Sequence, residues 1–240
     1  MTVRRFEGRR ALVTGATGGL GSDVVAKLRE EGAEVIGIDR EAADGVIAAD
    51  LTDPASRDAA VAEAIGRLGG LDVLCNVAGV QRFEHIETLS DDMLNTHLAV
   101  NTVAPIMIAK ACVPALRESK GVIVSVASIS GISATPYNVA YGASKAGLAL
   151  ASKVMAIDLA KDGVRVNTVA PGGIETPMIQ GAAKSLPADA DFAWIMARGS
   201  GVLGGMMPPR DVTEAILFLA SDAAASITGT ELVVDRGTVL

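Results

Sequence analysis

Aromatic residues are scarce in this sequence. Phenylalanine, tyrosine and tryptophan make up 3% of the 240 residues, although hydrophobic residues of all kinds make up 50%. A core built from Ala, Val, Leu and Ile favours close packing of helices on a sheet over a cavity lined with rings. No linker rich in Pro and Ser and no internal repeat divides the chain, so we predict one domain over residues 1–240.

Cysteine and histidine are also rare. Cys75 and Cys112 are the two cysteines, and we interpret them as buried apolar residues in a reducing compartment. His85 and His97 lie apart in sequence, which is typical of surface or packing residues. Because no acidic or histidine residues have metal-ligand spacing, we predict no metal site.

Basic clusters and long apolar runs are missing as well. The 28 Asp and Glu residues outnumber 21 Lys and Arg, and the formal charge of -7 repels phosphate backbones, so we expect no nucleic-acid partner. The first residues lack the apolar region of a secretory signal, and no uninterrupted apolar run is long enough to span a bilayer. We therefore expect a soluble, cytoplasmic protein without a membrane partner.

Short apolar runs rich in β-branched residues alternate with longer helical patterns along the whole chain. The predicted strands are 11–14, 34–39, 46–49, 73–76, 122–126, 164–169 and 231–235. The predicted helices are 21–31, 55–68, 91–118, 139–161 and 211–220. Strands that are apolar on both faces and separated by helices predict an α/β fold, with a doubly wound seven-stranded parallel sheet covered by helices on both sides.

Two segments break the alternation. Only ten residues separate Asp39 from Asp50, so we expect the crossover helix there to be stunted or absent. Residues 174–209 are rich in Gly, Pro and Met with weak periodicity, which predicts an irregular segment. That segment is interpreted either as a substrate lid or as a loop packed on the core.

A glycine-rich turn, Thr-Gly-Ala-Thr-Gly-Gly-Leu-Gly over residues 14–21, follows the first strand and opens a helix. Glycine lets the backbone approach a pyrophosphate, and the helix N-terminus supplies free N–H donors. Asp39 ends the next strand, where a carboxylate accepts hydrogen bonds from a ribose 2′-hydroxyl and repels a 2′-phosphate. We therefore predict a dinucleotide site that favours NAD over NADP, although Arg40 is a possible phosphate partner.

Tyr141 and Lys145 stand four residues apart in a predicted helix, which places them on one face. A free tyrosine titrates near ~10, and a fixed cation lowers that value, so the pair predicts a catalytic acid/base. Ser125, Ser128 and Ser130 are candidates for holding the substrate oxygen at the end of the preceding strand. Asn101 lies within an apolar helical pattern, where its side chain either donates a hydrogen bond to a buried carbonyl or takes part in catalysis.

These motifs resemble those of the short-chain dehydrogenase/reductase family. The glycine turn matches its Thr-Gly-x-x-x-Gly-x-Gly motif, and Ser128 precedes Tyr141 by the family's thirteen residues. The resemblance runs along nearly the whole chain and implies a Rossmann fold. It selects Ser128 among the serines and implies that Asn101 belongs to a water-mediated proton relay beneath Lys145.

The resemblance also implies which residues contact the cofactor. They match the coenzyme turn, the pair beside the adenine ring, the family's Asn-Asn-Ala-Gly motif and the segment that contacts the nicotinamide carboxamide. The implied set is Gly15, Thr17, Gly18, Gly19, Leu20, Asp39, Arg40, Asp50, Leu51, Asn76, Ala78, Gly79, Tyr141, Lys145, Pro171, Gly172, Ile174 and Thr176. Val77 and Arg236 depart from the family pattern, and a contact with another subunit is one interpretation of Arg236.

The expected function is an NAD-dependent oxidoreductase that interconverts a secondary alcohol and a ketone on an apolar, medium-sized substrate. Gln81, Ile129, Ile132, Tyr137 and Ile174 line the substrate pocket if the family analogy holds. A dihydrodiol or dihydroxybenzoate dehydrogenase, a steroid dehydrogenase and a 3-oxoacyl-carrier-protein reductase remain alternatives, as does a silent NAD-binding regulator. The resemblance implies a homodimer or homotetramer paired through helix 139–161.

Overall fold

A single seven-stranded parallel sheet forms the centre of the protein. The computed structural model describes residues 4–199 and 201–240, with the side chains of all of these except 196–199. The strands lie in the order β3-β2-β1-β4-β5-β6-β7. Their bounds are β1 Arg10–Thr14, β2 Glu34–Asp39, β3 Val46–Ala48, β4 Val73–Asn76, β5 Val122–Val126, β6 Arg165–Pro171 and β7 Glu231–Val234. The predicted Rossmann-type sheet is confirmed.

Helices cover both faces of this sheet. Their bounds are α1 Gly19–Glu30, α2 Pro54–Leu68, α3 Asp91–Leu98, α4 Ala104–Ser119, α5 Val139–Leu159, α6 Pro177–Ala183, α7 Phe192–Gly199 and α8 Pro209–Ala220. α1 and α8 pack on one face with Val13 and Val124, whereas α2, α4 and α5 pack on the other with Leu12 and Ile123. Alternate residues of one strand therefore enter two separate apolar layers, as period-two side-chain geometry requires.

The connection from β2 to β3 holds no helix, as the short spacing predicts. Gly37 N–H donates to the carbonyl of Gly45, and Ala49 N–H donates to that of Asp39, so the chain turns back at once. Gly37 has a packing reason to be glycine, because a Cβ there would lie 2.5 Å from the Ala16 Cβ. The turn leaves Asp39, the last residue of β2, at the carboxyl edge of the sheet.

Two predictions about local structure were wrong. Residues 174–209 are not irregular throughout, because they contain α6 and α7. Pro177 suits the first turn of α6, and the Asp191 carboxylate accepts a hydrogen bond from Trp194 N–H at the start of α7.

The predicted helix 91–118 is interrupted by a π-helical turn at Ala99–Val103. Pro105 lacks an N–H and cannot donate to the carbonyl of Asn101 four residues earlier, which explains the wider turn.

The stretch Asp91–Ser119 is long and apolar enough, by length and composition, to cross a bilayer. The stretch contains polar and charged residues such as Asn101 and Lys110, so it is not the uninterrupted apolar run whose absence the sequence predicts. In the structure, this stretch packs between α2 and α5, and its buried residues include His97 and Asn101. Its hydrophobic character therefore accompanies a place in the helical layer of the fold.

Both cysteines are buried and free, as predicted. Cys75 lies in β4 and Cys112 in α4, on opposite faces of the sheet. Burial raises the pKa of each thiol to about 12, because a thiolate is poorly solvated in the core. Both residues therefore act as small apolar side chains.

Candidate active site

The carboxyl ends of β1 and β4 meet where the strand order reverses. In doubly wound sheets, ligands bind in the crevice outside this switch point. The Thr14 hydroxyl at the end of β1 accepts hydrogen bonds from Val77 N–H at 3.1 Å and Ala78 N–H at 3.2 Å. The glycine turn after β1 and the segment after β4 are thus tied together at the crevice.

Glycine is required in this turn for close backbone contacts. Gly15 has φ +69°, and a Cβ there would lie 2.8 Å from the backbone of Ala78. A Cβ on Gly21 would lie 2.0 Å from the Gly15 carbonyl oxygen, a constraint that sequence reasoning assigned to no residue. Gly79 lies against two residues of the predicted catalytic set, since its Cβ would be 3.2 Å from Asn101 Oδ1 and 3.5 Å from Lys145 Nζ. The turn is shaped so that its backbone, and not its side chains, faces the crevice.

The amino end of α1 suits an anionic group. Gly18 precedes the helix, and within the described chain no side chain caps this terminus and no acidic residue occupies its first turn. The side chain of Leu20 enters the core, so only its backbone is available to a ligand. On the far side, the Thr176 methyl would lie 3.1 Å from a Cβ on Gly19, which brings the segment after β6 over the turn. The free N–H groups and the helix dipole fit a pyrophosphate.

The carboxylate of Asp39 is fixed at the glycine turn. Its Oδ2 accepts hydrogen bonds from Thr17 N–H at 2.9 Å and the Thr17 hydroxyl at 2.8 Å, and Oδ1 accepts one from Arg40 N–H at 2.7 Å. An oriented carboxylate at this position suits a ribose diol and repels a phosphate. The predicted residues Gly15, Thr17, Gly18, Gly19 and Asp39 are therefore together in space.

Asp50 follows β3 and lies at the same edge of the sheet. Its Oδ1 accepts hydrogen bonds from the N–H and hydroxyl of Thr52, which lower the pKa of Asp50, and the nearby Arg40 guanidinium adds to that shift. Leu51 is buried beside it in the core. Asp50 is therefore a carboxylate with fixed hydrogen-bond partners at the predicted adenine side of the site.

Asn76 stabilises the sheet beside the crevice. Its Nδ2 donates to Ser125 Oγ at 3.3 Å and to the Pro105 carbonyl at 3.4 Å, which links β4 to β5 and α4. The side chain is buried, so its influence on a cofactor acts through the sheet. This geometry agrees with the structural role that the motif resemblance implies.

Tyr141 and Lys145 lie one turn apart on α5, and both side chains are buried. Lys145 Nζ is 5.8 Å from the centre of the Tyr141 ring and donates to the Val126 carbonyl at 2.7 Å. Burial lowers the pKa of Lys145 to about 8, because the ammonium is poorly solvated. The structure therefore places a cation next to the tyrosine, as the spacing predicts.

The pKa of Tyr141 differs from the sequence-based expectation. Burial raises it above its ordinary value of 10, and hydrogen bonding with the Ser128 hydroxyl opposes the rise. The predicted lowering by Lys145 is wrong for the chain alone, because desolvation of the phenolate outweighs the other influences.

Ser128 follows β5 and is the serine beside Tyr141. Its hydroxyl also accepts a 3.1 Å hydrogen bond from Ser130 N–H, which orders the short 3-10 turn Ile129–Gly131. The rival hydroxyls have other partners: Ser125 accepts from Asn76, and Ser130 lies within 3.3 Å of Thr135 Oγ1 and accepts from Asn138. The position of Ser128 agrees with the selection made from the family pattern.

Two glycines let this turn lie against α5. A Cβ on Gly131 would lie 2.8 Å from Ala146 N, and a Cβ on Gly142 would lie 2.9 Å from the Ser130 carbonyl oxygen. Neither requirement can be seen in a single sequence, because both depend on how the turn meets the helix. The close approach brings the Ser128 hydroxyl to Tyr141.

Asn101 lies in the π-helical turn beneath this cluster. Its Oδ1 accepts from Val80 N–H at 2.9 Å, and its Nδ2 donates to the Val80 carbonyl at 2.9 Å and to Ser144 Oγ at 3.0 Å. All polar atoms of the side chain thus have protein partners. A proton relay through Asn101 would use its backbone carbonyl, from which Pro105 removes the usual helical donor.

The segment after β6 crosses from the sheet to the glycine turn. Gly172 N–H donates to the Val234 carbonyl at 3.0 Å, and Ile174 pairs with Met207 in an isolated parallel bridge. Thr176 is buried beside Gly19. The predicted nicotinamide segment, Pro171 through Thr176, therefore reaches the crevice from the opposite side of the dinucleotide turn.

Arg236 makes contacts within its own chain. It has φ +57°, its Nη1 donates to the Gly204 carbonyl at 2.8 Å, and its own carbonyl accepts from Leu203 N–H at 3.1 Å. The departure from the family pattern thus fixes residues 201–205 near the C-terminus. Sequence reasoning, which considered a contact with another subunit, missed this role.

His97 lies near the cluster and has fixed hydrogen-bond partners. His97 is buried, accepts from Arg82 N–H at its Nε2 and donates from Nδ1 to the Met93 carbonyl, so it is a packing histidine as predicted. Its ring centre is 6.3 Å from that of Tyr141. Among the described residues, no group of three His, Cys, Asp or Glu side chains is placed to hold a metal ion.

Comparisons with known proteins agree with this geometry. Residues 15–239 match the family model described as Enoyl-(Acyl carrier protein) reductase. The chain is 36% identical over 251 residues to the 2,5-dichloro-2,5-cyclohexadiene-1,4-diol dehydrogenase of Sphingobium indicum, and the alignment covers 98% of each protein.

Two solved structures also match this chain over nearly its whole length. The 3-ketoacyl-(acyl-carrier-protein) reductase from Brucella melitensis complexed with NADH has a TM-score of 0.87 at 30% identity, covering 98% of this chain and 100% of that one. A short chain dehydrogenase from Burkholderia cenocepacia in complex with NADP also has a TM-score of 0.87 at 30% identity, with the same 98% and 100% coverage. The chain belongs to the short-chain dehydrogenase/reductase family, and its relatives support a nicotinamide-dependent oxidoreductase that acts on CH–OH groups.

Proposed function

We propose that this protein is an NAD-dependent dehydrogenase that interconverts a secondary alcohol and a ketone on an apolar, medium-sized substrate. One observation carries the proposal: Ser128, Tyr141 and Lys145 are buried together beside Gly79, next to the fixed glycine turn. A buried hydroxyl pair with an adjacent ammonium can move a proton to or from a substrate oxygen without competition from water. The residues assigned to catalysis are Asn101, Ser128, Tyr141 and Lys145.

In the oxidation direction, Tyr141 takes the proton from the substrate hydroxyl, and the Ser128 hydroxyl holds the substrate oxygen in place. Lys145 stabilises the tyrosine phenolate electrostatically, and the backbone carbonyl of Asn101 accepts a hydrogen bond from a water molecule that carries the proton toward solvent. When bound, the nicotinamide cofactor supplies the hydride acceptor for oxidation and the hydride donor for reduction. In reduction, Tyr141 gives its proton to the carbonyl oxygen while Ser128 donates a hydrogen bond to it.

The preference for NAD rests on Asp39. Its carboxylate is oriented by Thr17 and by Arg40 N–H, and a 2′-phosphate placed beside it would meet a like charge. Arg40 is the opposing feature, because its exposed guanidinium could pair with a 2′-phosphate. The relatives of known structure include an NADH complex and an NADP complex, so the preference is argued from this chain's own residues.

Cyclic alcohols are the favoured substrate class. The Sphingobium relative acts, by its name, on a cyclohexadiene diol. Exposed apolar side chains, Ile132 and Met178, lie on segments next to Ser128 and Gly79. A 3-oxoacyl-carrier-protein reductase is the second candidate, because the Brucella relative carries that name. A silent NAD-binding regulator is the alternative outside enzymes.

The oligomeric state is proposed to be a homodimer or homotetramer paired through α5. Leu150, Val154 and Ile157 form an exposed apolar stripe on that helix, with spacing that keeps them on one face. Large apolar side chains grouped in this way mark contact surfaces in soluble proteins. We also propose a cytoplasmic location, in keeping with the two free thiols.

An absorbance assay at the nicotinamide band tests the proposal. NAD and NADP are supplied separately with cyclic, steroid and acyclic alcohols, and 3-oxoacyl thioesters are supplied with the reduced cofactors. We expect turnover with NAD and a cyclic alcohol. Turnover confined to NADPH and the thioester would support the reductase, and cofactor binding without any turnover across the panel would support the regulator.

A further inference from the structure

A cluster of polar and aromatic contacts lies outside the catalytic residues, between the segment that follows α6 and the walls of the crevice. The Nε2 of His85 is 2.9 Å from Asp189 Oδ1, and the His85 ring meets the Tyr137 ring edge-on with centres 5.0 Å apart. Tyr137 in turn meets Trp194 edge-on at 6.3 Å. These residues come from three segments far apart in sequence.

Tyr137 joins all three segments. Its hydroxyl accepts from Asp191 N–H at 3.1 Å, and its carbonyl accepts from Glu84 N–H at 2.9 Å. Tyr137 has φ +59°, a backbone conformation that is uncommon for a bulky residue and persists when the surrounding contacts hold it. Four residues later the chain reaches Tyr141, so these contacts anchor the approach to the catalytic helix.

The segment held by this cluster passes over the crevice. The preceding helix α6 begins at Pro177, which lies against Gly19, and the Met178 methyl would be 3.8 Å from a Cβ on Gly79. Further along, Ser185 Oγ accepts a 2.9 Å hydrogen bond from Phe83 N–H. The chain thus runs from the glycine turn, past Gly79, to the Tyr137 side of the cleft.

We propose that His85 is a positioning residue for substrate binding, which holds residues 184–194 over the cleft through Asp189 and Tyr137. The inference rests on the proposed function only for its substrate; the contacts themselves do not depend on it. The His85–Asp189 pair, here called the latch, is the ionisable part of this attachment. The charge state of the latch therefore controls how firmly residues 184–194 are held over the cleft.

The groups that face His85 define the pH range of the latch. Asp189 raises the pKa of His85 by accepting its hydrogen bond, and Glu87 and Glu84 of its own loop add to the rise; Tyr137 faces it with the edge-on contact of its ring. His85 in turn lowers the pKa of Asp189. Asp189 is therefore ionised down to a pH below 3.8, and His85 keeps its proton up to a pH above 6.5. The latch is formed between these two limits and weakens at higher pH as His85 loses its proton.

The latch is partly exposed, with 30% of the His85 side chain and 81% of that of Asp189 accessible. An exposed ion pair has a small effect, so breaking it is expected to raise KM for substrate about two- to fivefold. The effect falls on KM more than on kcat, because neither residue touches the reacting atoms in this arrangement.

Trp194 is the one tryptophan in the sequence, and its fluorescence reports on the cluster without cofactor or substrate. In the full-length wild type, we expect a single emission transition with its midpoint above pH 6.5. In D189N the midpoint falls toward about 6.5, and in H85Q the transition disappears. A wild type without a transition, a midpoint unchanged in D189N, or a transition retained in H85Q would overturn the latch.

A kinetic arm tests whether the latch acts on substrate. H85Q and D189N are expected to raise KM at pH 6 but much less at pH 8.5, and the double variant should resemble either single one. D162N, which breaks the surface pair of Arg117 and Asp162, is the matched control and leaves KM unchanged. Equal effects at both pH values, or additive effects in the double variant, would contradict the positioning role. Because the fluorescence arm needs no turnover, it judges the latch even if the proposed function fails.

Discussion

Lys145 Nζ donates a 2.7 Å hydrogen bond to the carbonyl of Val126, the last residue of the strand that leads to Ser128. This contact ties α5, the helix that bears Tyr141, to β5 and gives the buried ammonium one protein acceptor. Burial nevertheless lowers the pKa of Lys145 to about 8. The charged lysine therefore opposes folding while it supports the proposed chemistry.

The first prediction concerns stability and pH. In the folded protein the pKa of Lys145 is about 8, below its ordinary value of 10.5. Between pH 8 and pH 10.5 the unfolded chain therefore binds more protons than the folded one, and the free energy of unfolding rises with pH. The unfolding free energy of wild type relative to Lys145→Met should increase across this range by up to about 3 kcal/mol. Urea denaturation at pH 7 and pH 10 measures it, with exposed Lys110→Met as control. A pH-independent difference would show that Lys145 is solvated.

The second prediction concerns cofactor choice. Asp39→Asn removes the charge that would repel a 2′-phosphate but keeps the shape of the side chain. The ratio of kcat/KM for NADP to that for NAD should rise at least about fivefold. Asp44→Asn, an exposed change of equal charge in the next turn, should leave the ratio unaltered. An unaltered ratio in the Asp39 variant would instead place NAD selection elsewhere.

The third prediction concerns the π-helical turn that holds Asn101. Pro105→Ala supplies an N–H able to bond with the Asn101 carbonyl, which withdraws that carbonyl from the relay. We expect kcat to fall, by less than the ~10²- to 10⁴-fold effect of a positioned acid or base, with cofactor affinity retained. Steady-state rates and solvent isotope effects measure this. Pro114→Ala, within α4, is the control; equal kcat in both variants would remove Asn101 from the proton path.

The fourth prediction concerns assembly. Val154 lies between Leu150 and Ile157 in the exposed stripe of α5, and a charge there would have to be buried in a paired interface. Val154→Glu should therefore reduce the molecular mass in solution by light scattering, whereas Leu203→Glu, at a more exposed apolar site outside α5, should not. An oligomer of unchanged mass in the Val154 variant would place the interface on another face.

The sequence was sufficient for the strands and for the residues of the dinucleotide turn. These depend on local patterns: apolar runs, glycine spacing and a carboxylate at the end of β2. Features set by contacts between distant segments could not be predicted. The pKa of Tyr141 depends on burial, Gly131 is required by its approach to α5, and Arg236 depends on the position of residues 201–205.

The π-helical turn is an intermediate case. Pro105 is visible in the sequence four residues after Asn101, and the missing donor could have been inferred from that spacing. The helical pattern over 91–118 concealed it, because hydrophobic periodicity changes little when one residue is added to a turn. The short helices α6 and α7 escaped prediction because seven or eight residues show little periodicity.

The central claim is that Tyr141 is the catalytic acid/base, and one comparison tests it most directly. Wild type and Tyr141→Phe are assayed for NAD reduction with the best alcohol from the panel, and NAD binding to each is measured by calorimetry. The account predicts similar affinity for NAD but a loss of kcat of at least ~10²-fold in the variant. Retained turnover in Tyr141→Phe with normal NAD binding would contradict it.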